Sequence, residues 1–372
     1  MGEMERKISV AMPNLCGNEK NYVDDCIEST WISSGGKYIE KFEEAFASFC
    51  GSKYAMSCSN GTVAIHLALI ALGVKAGDEI IMPDLTYIAT ANAVKYCGAV
   101  PVFVDINEET WNIDAEKVEE KITKKTKGII VVHLYGNPVE MDRIMEIANK
   151  HNLFVVEDAA EAHGAEYKGK RVGHIGHIGT FSFFGNKVIT TGEGGMLTTD
   201  DSALEQRIRL YKGQGVDPDK RYWHTVVGYN YRMTNIEAAL GLAQLENIDY
   251  HLERRRQVVK WYMKYLENRK DLFAFQKEAV GGKSIYWMFS IILKEGIKKD
   301  RDSVMLELGQ AGIETRPLFY PMHIMPPYAD KTVLCPVSER ISRRGMNLPT
   351  HGLLNEEDIE YICSNLLKIV EE

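Results

Sequence analysis

The chain has 372 residues, 45% hydrophobic and 26% charged, with a formal net charge of −8. That length suits one large domain plus a smaller one, and the composition is that of an ordinary globular protein. The acidic balance argues against a nucleic-acid surface. The short basic runs at 121–127 and 254–256 have acidic residues nearby and read as solvated helix faces.

Helices are expected at 21–30 and 38–49, separated by Trp31 and a Ser33-Ser34-Gly35-Gly36 turn. From residue 53 apolar strands alternate with helices. YAMSC (54–58) is followed by a helix opening at Gly61-Thr62, and EIIMP (79–83) by a helix ending at Gly98. VPVFVDI (100–106) precedes a helix near 114–122, GIIVVHLYG (128–136) a helix at 140–151, and LFVVED (153–158) is the next strand. Thr180–Phe184 is a further short buried strand. Such alternation predicts an α/β protein with a mixed, mostly parallel sheet covered on both faces.

The pattern weakens after Asp200, and 201–232 reads as irregular. One long helix is expected over 235–268. A second pattern follows: a strand at 284–293, a helix at 301–312, a strand at 312–317 and a closing helix at 356–371. This suggests a large domain over 1–250 and a smaller α+β domain over 251–372.

Seven scattered cysteines, with no C-x-x-C, predict no disulfide framework, zinc site or iron–sulfur cluster, so no metal is expected. The opening MGEMERKISVAMPN lacks the apolar core of a signal peptide. The longest apolar run, Val63–Leu72, contains His66 and is too short to span a bilayer. A cytoplasmic protein without membrane contact is expected.

Chemistry-bearing residues cluster at the predicted strand ends, where sheets of this kind bind ligands. Gly61 and Thr62 open a helix whose N-terminus favours a phosphate, although such a turn alone reads as an ordinary capped helix. Asp158 ends a buried strand. It requires a cation or several donors there, and by itself it reads equally well as a cap for the next turn. Lys187 follows a buried strand inside TFSFFGNKVITTGEGG, with Ser182 five residues earlier. A desolvated lysine has a lowered pKa and an amine able to attack a carbonyl. A phosphate seat, a partner for a protonated ring nitrogen and a reactive lysine together fit pyridoxal 5'-phosphate (PLP).

The stretches WISSGGKYIEKFE, SNGTVAIHLAL, PDLTYIATANAV, EDAAEAHGA, FSFFGNKVITTGEGG, GYNYRMTNIEAALG and TRPLFYPMH cover nearly the whole chain. In that order they resemble the DegT/DnrJ/EryC1/StrS family of PLP-dependent nucleotide-sugar aminotransferases. The resemblance implies the aspartate-aminotransferase (type I) fold, with PLP in the large domain. It implies that Lys187 bonds the cofactor aldehyde and that Asp158 pairs with the pyridine nitrogen. Tyr87 would stack on the ring, and Glu161 would lie near the ring face. Gly61, Thr62 and Ser182 would hold the phosphate. Asn230 would reach the cofactor phosphate of the other subunit of a homodimer with shared active sites. Trp31, Ser34, Arg316, Tyr320 and His323 are the candidates for the substrate side.

Two residues depart from the family pattern: Glu161, where many members have Gln, and Val188, where Thr is expected. A related branch that dehydrates C3 carries His in place of the lysine, which Lys187 argues against. FFGNK-ITTGEGG and ETRPLFYPMHIMPPY look most like the branch that moves an amino group from glutamate to C4 of GDP-4-keto-6-deoxymannose, for O-antigen and lipopolysaccharide biosynthesis. The alternatives are amination of another dTDP- or UDP-linked keto sugar at C3 or C4, or a PLP-dependent sugar dehydratase. A Rossmann-type dehydrogenase lacks support, since no G-x-G-x-x-G follows the first strand, and nothing in the sequence favours a non-catalytic regulator.

Overall fold

The computed structural model describes residues 6–372. Helix α1 (Glu19–Glu28) leads to α2 (Lys37–Cys50), which buries Tyr38, Phe42, Phe46 and Cys50 at four-residue spacing and stops at Gly51 in a left-handed conformation. Then come β1 (Tyr54–Cys58), α3 (Gly61–Ala71), β2 (Glu79–Pro83), α4 (Ala89–Tyr96), β3 (Val100–Val104), the short α5 (Ala115–Val118), β4 (Thr126–Val132), α6 (Met141–His151) and β5 (Phe154–Asp158). A small hairpin of β6 (Glu166–Tyr167) and β7 (Lys170–Arg171) precedes β8 (Ile178–Ser182), β9 (Gly195–Thr199) and α7 (Ser202–Lys212).

These elements build a seven-stranded sheet in the order β1-β9-β8-β5-β4-β2-β3, in which β9 alone runs antiparallel to its neighbours. Alternate side chains feed opposite faces. Met56, Ile80, Ile130, Val156 and Leu197 pack with α3, α4 and α7. Ala55, Phe181 and Met196 pack with α2, and Ile129, Val131 and Val155 pack with α6. The C-terminal ends of the six parallel strands therefore share one edge. That edge carries Gly61, Asp84, Tyr135, Asp158 and Ser182.

Helix α8 (Asn235–Glu246) opens with a capping box of Thr234 and Glu237. It is followed by α9 (Ile248–Leu266). The single helix expected over 235–268 is thus two, because Asn247 leaves helical geometry at φ −108°, ψ 15°. Ile248 and Leu252 of α9 lie in the large-sheet core, whereas Val258, Tyr262 and Leu266 lie in a second core. That core is built on β10 (Phe273–Phe275), β12 (Phe289–Leu293), β13 (Arg316–Pro317) and β14 (Gly345–Leu348), in the order β10-β12-β14-β13, while β11 (Gly282–Lys283) joins β6. Helices α10 (Arg301–Gln310) and α12 (Glu356–Glu371) cover it, and α11 (Pro336–Arg344) leads into β14. Ile8 is buried in this second core and donates its N–H to Gly312 O at 2.8 Å.

Three further expectations change. The start of 201–232 is helical, because Asp201 caps the amides of Ala203 and Leu204. The run at 254–256 is not a solvated face. Arg255 is buried and donates to the carbonyls of Trp287 and Thr350, and Arg254 donates to those of Gly352 and Leu354. The strand expected over 312–317 reduces to Arg316–Pro317.

Candidate active site

The loop after β8 folds back on itself. Phe183 N–H donates to Gly194 O at 2.8 Å, Thr191 N–H donates to Phe183 O at 3.0 Å, and Lys187 N–H donates to Phe184 O at 2.9 Å. Gly194 has φ +158°, and a side chain there would meet Thr191 Oγ1 at 2.2 Å, so glycine is required for the loop to close. The loop turns Lys187 inward, leaving its side chain 11% exposed. Its Nζ lies 4.0 Å from the centre of the Trp287 ring and 3.8 Å from Glu161 Oε1, beyond hydrogen-bond reach of the carboxylate. Burial lowers the Lys187 pKa, against the pull of Glu161 and Asp158. Val188 is buried in the large-sheet core, a packing role for the residue that departs from the family pattern.

Asp158 ends β5 and is 6% exposed. Thr90 Oγ1 donates to Oδ2 at 2.8 Å and Ala160 N–H donates to Oδ1 at 3.2 Å, so both donors are neutral. Burial raises its pKa, and the two donors and the Lys187 charge only partly offset this. Glu161 accepts the Tyr135 N–H at 2.8 Å and is pushed up to about 7 by burial, with Lys187 pulling the other way. His163 lies beneath, among Phe46, Phe181 and Phe183. Among the described residues neither ring nitrogen has a hydrogen-bond partner, and burial, followed by the Lys187 charge, pushes it down to about 3.

Gly61 and Ser182 meet across the strand ends. A Cβ on Gly61 would stand 2.7 Å from Ser182 Cβ and 3.1 Å from its Oγ. Asn60 caps α3 by accepting the Val63 N–H at 3.0 Å, which leaves the Gly61 and Thr62 amides at the helix mouth. Tyr87 is exposed, with its ring 5.8 Å from Phe319. Phe319 stacks on Tyr135 at 5.3 Å, and Tyr135 stacks on Trp287 at 6.2 Å. An aromatic row thus runs from Lys187 to Tyr87.

Trp31, Ser34 and Asn230 belong to another group. Trp31 is exposed and its carbonyl accepts from Asn235 Nδ2 at 2.7 Å. Ser34 lines a cleft with Lys212 and Arg232, and Arg232 donates to Asn230 Oδ1 at 3.1 Å. Arg316 is half-buried on β13, 3.5 Å from Glu314, and Tyr320 is exposed. His323, expected among the substrate contacts, is instead enclosed at 5% exposure, with its ring nitrogens facing Asp84 and Glu339. Sequence reasoning missed Thr90, Tyr135 and Trp287. Each reaches the site through tertiary packing: Thr90 from α4, Tyr135 from the turn after β4 and Trp287 from the segment before β12.

A buried carboxylate held by two neutral donors, a cradle between Gly61 and Ser182, and a buried amine lie on one sheet edge. These residues fit PLP. The family model for DegT/DnrJ/EryC1/StrS aminotransferases matches residues 13–367. The chain belongs to that family. It is 53% identical over 365 residues to the GDP-perosamine synthase of Caulobacter vibrioides, covering 98% of each protein. It is 51% identical over 359 residues to the GDP-perosamine synthase of Escherichia coli O157:H7, covering 96% of this chain and 97% of that one. Among solved structures it resembles Helicobacter pylori PseC, an aminotransferase involved in the biosynthesis of pseudoaminic acid. That match has a TM-score of 0.93 at 28% identity and covers 98% of this chain and 100% of PseC. The protein is an aminotransferase, and its cofactor is PLP. Among the described residues, no helix is long and apolar enough to cross a membrane.

Proposed function

We propose that this enzyme moves an amino group from glutamate to C4 of GDP-4-keto-6-deoxymannose, giving GDP-perosamine. The substrate follows the relatives named above. The chemistry rests on Lys187, a buried amine held near two carboxylates without a hydrogen bond to either nearby Glu161 oxygen. When bound, PLP supplies an aldehyde that takes up the amino group and a protonated ring that draws electrons from the reacting carbon.

Asp158 holds the proton on the ring nitrogen, and in return its buried carboxylate gains a cationic partner. The Gly61 and Thr62 amides and the Ser182 hydroxyl hold the phosphate at the α3 mouth. Tyr87, exposed beside Phe319, would stack on the ring. Burial lowers the Lys187 pKa, which favours the free amine, and that amine removes the proton at the donor Cα and returns one at sugar C4. Arg316, with its planar donor fork, suits a carboxylate or diphosphate. The enzyme works as a homodimer in the cytoplasm, with Asn230 reaching toward the neighbouring subunit's cofactor phosphate. Exposed Tyr222, Trp223 and Val227 beside that residue support such a contact.

Incubation of the purified enzyme with PLP, glutamate and GDP-4-keto-6-deoxymannose tests the reading. A GDP-amino sugar by mass spectrometry, with equimolar 2-oxoglutarate, is the expected result. Preference for a dTDP or UDP analogue would overturn the substrate. Sugar consumed without 2-oxoglutarate would overturn the reaction.

A further inference from the structure

Asp84 ends the β2 region and is fully buried, yet none of the roles above uses it. Both oxygens of its carboxylate are engaged by His323, a residue 239 positions away. Oδ1 accepts the His323 backbone N–H at 3.0 Å, and Oδ2 lies 2.8 Å from His323 Nδ1. The Asp84 carbonyl accepts the Met322 N–H at 2.8 Å, and Leu85 bridges Pro321. On the far side of the imidazole, Nε2 lies 3.3 Å from Glu339 Oε1.

The pairing ties two functional segments together. Tyr87 lies three residues after Asp84, and Tyr320 three residues before His323. Between them Phe319 donates its N–H to Tyr135 Oη at 2.9 Å and packs against the Tyr87 ring. A carboxylate this dry is unfavourable unless its donors are fixed, and here the donors fix the 321–323 segment. We propose that Asp84 and His323 are a positioning pair. They hold the Arg316–Tyr320 segment over the pocket wall and thereby set affinity for the nucleotide sugar, an inference that rests on the substrate reading above.

Cys335 Sγ completes a buried Asp84, His323 and Cys335 cluster whose ligand atoms lie within 4.8 Å of one another, a donor set that also suits zinc. The 2.8 Å separation of Nδ1 and Oδ2 is a hydrogen-bond distance. Two ligand atoms on a tetrahedral zinc stand roughly 3.3 Å apart. The geometry favours the hydrogen bond.

The experiment compares His323→Leu, His323→Asn and Glu339→Ala with the wild-type holoenzyme, using whichever nucleotide sugar the wild type aminates. His323→Leu should raise KM for the sugar about 10-fold while kcat stays within about 3-fold. The rate at which glutamate converts the cofactor absorbance should not change. His323→Asn places an amide N–H near the Nδ1 position and should restore most of the affinity. Glu339→Ala, a substitution at the rim, should raise KM by about 2-fold. An unchanged sugar KM in His323→Leu overturns the proposal, as does an equal loss in both half-reactions. If His323→Leu does not fold, an Asn variant with no better affinity than Glu339→Ala overturns it. One zinc per chain in the purified holoenzyme also overturns it. A wild type that aminates a different nucleotide sugar refutes only the substrate reading, because the variants are then compared on that sugar.

Discussion

Lys212 and Lys187 each lie near a buried glutamate, and their side chains are equally exposed at 11%. Lys212 Nζ lies 3.1 Å from Glu43 Oε1 and donates to Ser57 O at 2.7 Å. Glu43 also accepts from Arg209 at 2.9 Å and from the Ser57 N–H and hydroxyl at 2.8 and 2.7 Å. Burial alone would raise the Glu43 pKa, but the two cations and the Ser57 donors bring it below the ordinary value. Around Lys187 the balance is reversed. One amine faces two carboxylates, the nearer at 3.8 Å, and burial outweighs their mutual attraction, pushing both carboxylates up and the lysine down. Burial therefore does not by itself make a lysine reactive. What separates the two is whether direct partners hold the charged form in place.

The largest break in this comparison is Lys187→Ala. Turnover of glutamate and keto sugar should fall at least about 10³-fold while the variant stays folded and binds PLP. Steady-state kinetics and a PLP absorbance titration check both parts. Asp158→Asn keeps the shape of the side chain and removes the charge that the ring nitrogen needs. A loss of about 10²-fold in turnover is expected, together with a changed cofactor absorbance at neutral pH. Glu157 sharpens the contrast within a single strand. One residue earlier and fully buried, it lies 3.0 Å from His133 Nε2 and accepts from the Gly173, Ile175 and Gly176 amides. Despite its burial it is held below the ordinary value, a structural carboxylate beside a functional one.

Lys212→Met should show the opposite signature. Removing one partner of a buried pair destabilises by about 3 kcal/mol, read as an earlier urea midpoint, while turnover of the folded fraction stays within a few-fold. A Lys212 variant of normal stability but without turnover would merge the two lysines into one class.

Much of this was legible before the structure. EIIMP and YAMSC coincide with β2 and β1, since short apolar runs between turn residues have little choice but a buried strand. Lys187 and Asp158 stood out because strand ends are marked in the sequence. The antiparallel β9 went unread, because GMLTT is short and follows a glycine loop, and β14 was hidden behind a helix. His323 read only as a candidate for the substrate side, because nothing local reveals that Asp84, 239 residues earlier, lies 2.8 Å from its ring. Trp287 and Tyr135 were invisible for the same reason. Trp287 reaches Lys187, and Tyr135 stacks on Trp287, through packing between segments far apart in the chain, and neither periodicity nor spacing carries that information.

The smallest expected effect concerns Glu161, and it probes the comparison at its most sensitive point. Burial raises this carboxyl from the ordinary 4.5 to about 7. The folded, cofactor-free protein thus keeps a proton that the unfolded chain releases. The associated stability is complete below about pH 4.5 and is lost as pH rises through about 7. Lys187 acts in the other direction. Its lowered pKa contributes stability that is present at alkaline pH and lost as pH falls through the folded value. Glu161→Gln stays neutral throughout. Between about pH 5 and pH 8 it should therefore gain about 2 kcal/mol relative to wild type in urea denaturation of the cofactor-free protein. If the two proteins instead keep a constant difference across that range, Glu161 is ionised throughout and holds Lys187 as Glu43 holds Lys212. The reactivity of Lys187 would then have to come from the cofactor alone.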